Sequence, residues 1–121
     1  MIRGIRGATT VSVDDCQEIL TNTETLLRKI IEVNQLEADQ VASIFISATN
    51  DMKTAFPAKA LRQIEGFTFV PIMCMQELEI EGGLERCIRV MMHVNTSVPQ
   101  QEVQHVYFEE AVKLRPDLVK E

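Results

Sequence analysis

The sequence predicts a single α+β domain in which a mixed β-sheet packs against one long helix and one or two short helices. Three observations lead to this prediction. A strand-like segment opens the chain, a long amphipathic helical pattern follows it, and several apolar segments rich in β-branched residues come after the helix. No repeat or change in composition divides the 121 residues, and 45% hydrophobic content is enough for one core, so we expect one domain over 1–121.

The opening segment, 1–11, predicts a strand because it contains few helix formers and ends in β-branched residues. Alternation places Arg6 on one face of this strand, together with Gly4 and Ala8. Because these two neighbours have almost no side chain, we expect open space above the arginine.

The long helix is predicted over 13–33. Ser12 and Asp15 have the spacing of a capping box at its start. Residues recurring three and four apart predict one buried stripe, formed by Cys16, Ile19, Leu20, Thr23, Leu26, Leu27, Ile30 and Ile31.

Later strands are predicted over 41–48, 67–75, 86–94 and 103–108. The first of these is nearly continuously apolar, which predicts cover on both faces. Segment 77–81 alternates acidic and apolar residues like an edge strand, and Gly82 and Gly83 then predict a turn.

Two short helices are also predicted. The first begins at Pro57, since proline suits the first position of a helix. Its residues Ala58, Leu61 and Ile64 are expected to face inward, with Lys59 and Arg62 on the other side. The second is predicted over 109–114 and is followed by a tail, 115–118.

Composition excludes several classes of function. The net charge of −6 and the presence of only five Phe, one Tyr and no Trp argue against a nucleic-acid-binding surface. Uncharged stretches such as 40–50 and 66–76 are far shorter than the roughly 20 residues that cross a bilayer, so no membrane partner is expected. An anionic ligand would therefore need a local cluster of cations.

The three cysteines form no C-x-x-C pair, and the N-terminus lacks an apolar signal sequence. These features predict free thiols and a cytoplasmic protein. No metal is expected because His93 and His105 lack the spacing of a ligand pair, and no glycine-rich nucleotide loop is present.

Three residues have both a structural and a functional interpretation. Cys74 is either a buried thiol or a nucleophile, although no cation or base adjoins it in sequence. Arg89 interrupts the most apolar strand, so it either pairs with a buried carboxylate such as Glu77 or binds an anionic ligand through its two parallel donors. Tyr107 either packs in a strand or donates its hydroxyl to a ligand carboxylate.

Several motifs together resemble one enzyme family over essentially the whole chain. They are Ile2-Arg3-Gly4-Ile5-Arg6-Gly7-Ala8-Thr9-Thr10, Phe56-Pro57-Ala58-Lys59-Ala60, Val70-Pro71, Cys74-Met75-Gln76-Glu77, Gly82-Gly83-Leu84, Cys87-Ile88-Arg89-Val90-Met91-Met92, His105-Val106-Tyr107 and Leu114-Arg115-Pro116-Asp117-Leu118. In this order they resemble the small monofunctional chorismate mutases of the trimeric, pseudo-α/β-barrel class.

The resemblance implies a homotrimer that rearranges chorismate, a dianion, to prephenate on the route to phenylalanine and tyrosine. The reaction is pericyclic: one C–O bond breaks as a C–C bond forms, without proton transfer or a covalent intermediate. It therefore needs no cofactor, metal, base or nucleophile. An enzyme can still accelerate it by holding the reactive conformation and by stabilising the negative charge that develops on the ether oxygen.

The resemblance also implies roles for individual residues. Arg89 is expected to contact the ether oxygen and a neighbouring carboxylate of the substrate. Arg6 and Tyr107 are expected to bind a carboxylate. Glu77 and Cys74 are expected to contact the ring hydroxyl. The wall of the site is expected to lie between subunits and to contain Phe56, Ala58, Lys59, Arg62, Ile72, Met73, Leu114 and Arg115. At position 73 the family more often carries a smaller polar residue, so any ligand contact there could be made by the Met73 backbone.

Two other classes are compatible with this architecture. One is a trimeric enamine/imine deaminase, and the other is a non-catalytic trimer that binds an anionic metabolite. Fold alone does not separate these from a mutase, because function depends on the site. The motifs quoted above do not resemble the deaminases, and the set of Arg6, Glu77, Arg89 and Tyr107 argues against the binding module.

Overall fold

A computed structural model describes residues 1–114. The predicted wall residue Arg115 and the rest of the predicted tail, 115–118, lie outside the described residues. The described chain forms one five-stranded sheet with one α-helix and several short 3₁₀ segments.

The sheet is mixed, as predicted. Its strands are β1 (Ile2–Thr10), β2 (Val41–Ala48), β3 (Ile72–Gln76), β4 (Cys87–Asn95) and β5 (Val106–Tyr107), in the spatial order β3-β2-β4-β1-β5. The central strand β4 is antiparallel to both β1 and β2, whereas the outer pairs β2–β3 and β1–β5 are parallel. The α+β prediction is confirmed.

One face of the sheet packs against α1 (Cys16–Val33) and carries the core. Ile5, Ile46 and Ile88 from three strands join Leu26 and Ile30 of the helix in one apolar cluster, and all five are at most 1% exposed. This face is called the helix face below. No helix within residues 1–114 has the length and apolarity needed to cross a membrane.

The opposite face is called the open face. Alternate residues of the sheet, among them Phe45, Met73 and Met75, point to this side and are exposed. The prediction that 41–48 is covered on both faces is therefore wrong for the single chain. The helix α1 covers one side of the sheet. On the open face, Ala111 of the segment Glu109–Lys113 packs against Ala8 and Tyr107, and Phe45 of β2 remains 40% exposed.

The start of α1 also differs from the prediction. The helix begins three residues later, and its N-cap is Asp15, whose carboxylate accepts from the backbone N–H of Glu18 at 2.9 Å. Ser12 forms no capping box with Asp15, since it donates instead to the carboxylate of Glu18. Cys16 was predicted in the buried stripe but is exposed, because it occupies the first turn, beyond the edge of the core.

Three strand predictions need correction. The strand predicted over 67–75 begins only at Ile72, because turns closed by hydrogen bonds occupy 64–70. Segment 77–81 is not a strand, although the predicted glycine turn does form, with the N–H of Gly83 donating to Ile80. In 103–108 only Val106–Tyr107 is a strand, since the backbone of Gln104 bonds to the side chain of Asn34 instead.

The two short helices are 3₁₀ segments, Pro57–Gln63 and Glu109–Lys113. In the first, Ala60 and Leu61 are buried and Ala58 is only half-buried, so the predicted inward face is turned slightly. Lys59 and Arg62 are exposed, as predicted.

Gly7 marks the closest approach of β1 to the helix. A Cβ atom at this position would lie 2.7 Å from Cδ1 of Ile30 and 3.1 Å from the carbonyl oxygen of Val106. We expect Gly7→Ala to lower the free energy of unfolding by about 1–3 kcal/mol, the usual cost of overpacking. Gly4→Ala is the control, since its Cβ meets only the flexible Met91 side chain at 3.2 Å. Urea unfolding of both variants tests this, and equal midpoints would contradict it.

Asp14 joins the loop before the 3₁₀ segment Pro57–Gln63 to the residues just before α1. Its carboxylate accepts from the backbone N–H groups of Lys53 and Thr54 and from the Thr54 hydroxyl, at 2.8–3.2 Å. Burial acts to raise the pKa of the Asp14 carboxyl, but these hydrogen bonds outweigh it and lower the pKa below the ordinary 3.8.

We therefore expect the stabilisation by Asp14 to be present above its unfolded-state pKa of about 3.9 and to be lost as the pH falls through the lower folded-state value. Asp14→Asn should have a lower urea midpoint than the wild type at pH 7, and this difference should shrink below about pH 4. Asp39→Asn, which removes a charge from an exposed 3₁₀ turn, is the control. A difference for Asp14→Asn that stays constant with pH would contradict this explanation.

Candidate active site

Four of the predicted site residues line one cavity on the open face. This cavity has a volume of about 240 Å³, and its lining includes Arg6, Glu77, Arg89 and Tyr107. We call it the arginine cavity. The fold therefore brings together, from four separate segments, the residues to which the resemblance assigns binding roles.

The strand register explains why these residues lie close together. Arg89 on β4 lies opposite Ala8 of β1 on one side and opposite Ser47 of β2 on the other. Arg6 is two residues before Ala8, so it reaches the same face. Glu77 follows β3 directly, and its backbone N–H donates to the carbonyl of Ala48 at 2.9 Å.

Arg89 and Glu77 form the ion pair that the sequence suggested. Nη1 of Arg89 lies 3.3 Å from Oε2 of Glu77. The pair is not buried, however: the arginine side chain is 47% exposed and the glutamate 21%. In the single chain the guanidinium is therefore accessible to a ligand, and its pairing with Glu77 is compatible with the anion-binding interpretation.

Arg6 and Tyr107 are held by the pairing of β1 with β5. The backbone N–H of Arg6 donates to Nδ1 of His105 at 2.9 Å, and Ala8 lies beside Tyr107 in the parallel register. Tyr107 is only 9% exposed and packs with Ala8 and Ala111. The tyrosine therefore both packs in the strand and lines the cavity.

Most of the predicted wall residues line a different cavity of about 680 Å³. We call it the lysine cavity, and its lining includes Phe56, Ala58, Lys59, Arg62, Ile72, Met73 and Cys74. It shares no lining residue with the arginine cavity. Within one chain, these wall residues therefore lie apart from the residues of the arginine cavity.

Cys74 belongs to the second group and not beside Glu77. In the β2–β3 register it is the partner of Ile46, whose side chain is in the core, and it packs against the core cluster. Burial raises the pKa of its thiol, although a hydrogen bond from the backbone N–H of Ala58 acts in the opposite direction. A thiol that stays protonated at neutral pH is a poor nucleophile.

The charges lining the cavities decide which of them suits an anion. The arginine cavity has two arginines and one carboxylate, and the lysine cavity has Lys59 and Arg62 without a carboxylate. A third cavity of about 650 Å³ contains Glu77, Arg89 and the predicted Leu114, but Asp51, Glu79, Glu81 and Glu85 also line it. Of these three cavities, the arginine and lysine cavities attract a dianion, and the third repels it through its excess of carboxylates.

The arginine cavity also contains residues that the sequence analysis missed, namely Phe45, Ser47, Met75 and Met91. The signal was present in β2, where Ser43, Phe45 and Ser47 alternate with buried residues. Within residues 1–114, no group of three His, Cys, Asp or Glu side chains is placed to hold a metal ion.

Comparisons with known proteins agree on one family. The family model for chorismate mutase type I matches residues 2–118. Chorismate mutase AroH of Bacillus subtilis is 55% identical over 118 residues, covering 98% of this chain and 93% of the relative. The AroH protein of Thermus thermophilus is 45% identical, covering 98% and 97%.

A solved structure gives the same result. A chorismate mutase from Clostridium thermocellum superposes with a TM-score of 0.86 at 47% identity, covering 89% of this chain and 96% of that one. The chain therefore belongs to the chorismate mutase type I family, whose members are isomerases that rearrange chorismate to prephenate.

Proposed function

We propose that this protein accelerates the chorismate rearrangement through a site in which Arg89 stabilises the negative charge that develops on the ether oxygen. The observation that carries the proposal is the half-exposed Arg89 guanidinium, fixed by β4 among Arg6, Glu77 and Tyr107. A donor that is already in place when charge develops lowers the barrier without reorganisation.

The neighbouring residues have binding roles in this proposal. Arg6 and the Tyr107 hydroxyl bind a substrate carboxylate, and the Glu77 carboxylate accepts a hydrogen bond from the ring hydroxyl of the substrate. These contacts hold the substrate in the folded conformation that brings the two bonding carbon atoms together. Because none of these steps transfers a proton, a protonated Cys74 has no covalent role and contributes at most a weak hydrogen bond.

We further propose that the complete site forms between two copies in a homotrimer with a pseudo-α/β-barrel architecture. The lysine cavity of one chain would then face the arginine cavity of its neighbour, adding Phe56, Ala58, Lys59, Arg62, Ile72 and Met73 to the wall. Two features support this arrangement. The two groups do not meet within one chain, and the open face exposes Phe45, Met73 and Met75, which a neighbouring subunit would bury. Leu114, which lines a cavity together with Glu77 and Arg89, would then close the edge of the site.

Four cations from two chains would then surround one dianion. The arginine cavity supplies Arg6 and Arg89, and the lysine cavity supplies Lys59 and Arg62, against the single carboxylate of Glu77. Such a local excess of positive charge attracts the substrate although the whole chain carries −6. We also propose a cytoplasmic location, because all three cysteines are free.

The test is a turnover assay without cofactor and with a metal chelator. Loss of the conjugated-diene absorbance of chorismate is followed, and the product is identified by NMR. We expect prephenate at an unchanged rate when the chelator is added. A folded protein without turnover would contradict the proposal and favour a binding module.

The oligomer is tested separately by light scattering coupled to size-exclusion chromatography. The expected mass is about three times the 13.7 kDa of one chain. A stable, fully active monomer would contradict the shared site while leaving the reaction unaffected.

A further inference from the structure

Ser47 has a place in the arginine cavity that neither the motifs nor the family assignment explains. It lies on β2 directly opposite Arg89 of β4, and its half-buried side chain points to the open face. Its hydroxyl donates to Oε2 of Glu77 at 2.7 Å.

This hydrogen bond is the shortest contact that the Glu77 carboxylate makes within the described chain. Nη1 of Arg89 is 3.3 Å from the same oxygen, longer than the roughly 2.7–2.9 Å usual for a charged N–H···O bond. Within residues 1–114, the other oxygen, Oε1, accepts from the backbone N–H of Leu78 at 3.2 Å. Ser47 therefore holds the carboxylate more closely than Arg89 does.

The position of the carboxylate matters because a glutamate and an arginine readily form a bidentate pair. In that geometry Glu77 would occupy two of the guanidinium N–H donors, and a substrate anion would have to compete for them. With Oε2 held by Ser47 at 2.7 Å, the same oxygen contacts Arg89 through Nη1 at 3.3 Å, and the pair is not bidentate.

We infer that Ser47 is a positioning residue that holds Glu77 beside Arg89 and thereby keeps the guanidinium available to the substrate. The inference rests on the proposed function, since it concerns the same cavity. Ser47 does not itself contact the reacting atoms; it acts through Glu77.

Ser47→Ala removes the hydroxyl, and we expect kcat to fall by roughly tenfold to a hundredfold, the loss associated with one hydrogen bond to a charged group. The urea midpoint should stay near the wild-type value because the side chain lies outside the core. Ser47→Thr keeps a hydroxyl and should recover most of the activity.

Ser43→Ala is the matched control. Ser43 is on the same strand and face, but its hydroxyl lies 3.3 Å from Nδ1 of His93, and it does not line the arginine cavity. We expect its kcat and KM to remain within about twofold of the wild-type values, as for most substitutions away from a site. Wild-type turnover in Ser47→Ala, or an equal loss in Ser43→Ala, would overturn the inference.

A double-mutant cycle separates positioning from a general structural effect. If Ser47 acts only through the Glu77 carboxylate, then adding Ser47→Ala to a Glu77→Ala enzyme should change the residual kcat by less than about twofold. A further full-sized loss in that background would overturn the inference. Failure of the proposed function is distinguishable, because it would show as no turnover in the wild type.

Discussion

Arg89→Ala should lower kcat by about 10²–10³-fold, the loss of ~3–4 kcal/mol that follows removal of one preorganised donor at a developing negative charge. The effect should fall mainly on kcat, because the charge on the ether oxygen is absent from bound substrate and appears only in the transition state. Steady-state kinetics on the purified protein measures both constants.

The fold should tolerate this change. The Arg89 side chain is 47% exposed, and Glu77 keeps its hydrogen bonds to Ser47 and Leu78 when the arginine is lost. Arg89→Lys should recover only part of the rate, since an ammonium offers a point charge in place of a planar fork. Arg28→Ala is the control: it removes an exposed arginine that pairs with Glu24 on the helix at 2.8 Å. Near-normal turnover of Arg89→Ala would remove the basis of the electrostatic mechanism.

If the site is shared between chains, refolding two inactive variants together should restore activity. One carries Arg89→Ala, and the other carries Lys59→Ala together with Arg62→Ala. After joint unfolding and refolding at equal amounts, a site is intact only where an unaltered Arg89 meets a neighbour with an unaltered lysine cavity. Random assembly should therefore give about a quarter of the wild-type turnover.

The matched control mixes Arg89→Ala with Glu77→Ala. Both residues line the arginine cavity of the same chain, so no arrangement of subunits rebuilds it and no recovery is expected. Each variant refolded alone gives the background. If the first mixture gains nothing over this background, each site is contained within one chain and the two-cavity model is wrong.

The parts of the fold that the sequence predicted well are those determined by local pattern. The bounds of β2 were predicted to the residue, and those of β4 to within one, because both are long apolar segments rich in β-branched side chains. Segment 77–81 has an equally clear alternation and is not a strand. The chain passes the end of β2 at Ala48, so no neighbouring strand remains there for it to pair with. A strand forms only beside a neighbouring strand with which it can pair. Whether such a neighbour is present depends on the tertiary structure and not on the local sequence.

The candidate site was predicted mainly through resemblance. An arginine within an apolar strand pointed to Arg89, but the meeting of Arg6, Glu77 and Tyr107 depends on the strand order, which periodicity does not give. The family comparisons confirm the resemblance itself. The sequence does not reveal the role of Ser47. That role depends on its strand partner Arg89 and on its hydrogen bond to Glu77, 30 residues away, and a local sequence pattern shows neither contact.

The division of the sheet into a helix face and an open face also bears on how this protein can change. Side chains that stabilise the fold, such as Ile46 and Ile88, alternate along the same strands with those that line the arginine cavity, such as Ser47 and Arg89. Neighbouring residues in these strands therefore meet different requirements, one for the stability of the fold and the next for the shape and charge of the cavity. A mutant library aimed at the ligand site should therefore vary the open-face positions that line the arginine cavity, such as Ser47 and Met91, and leave the helix-face positions unchanged.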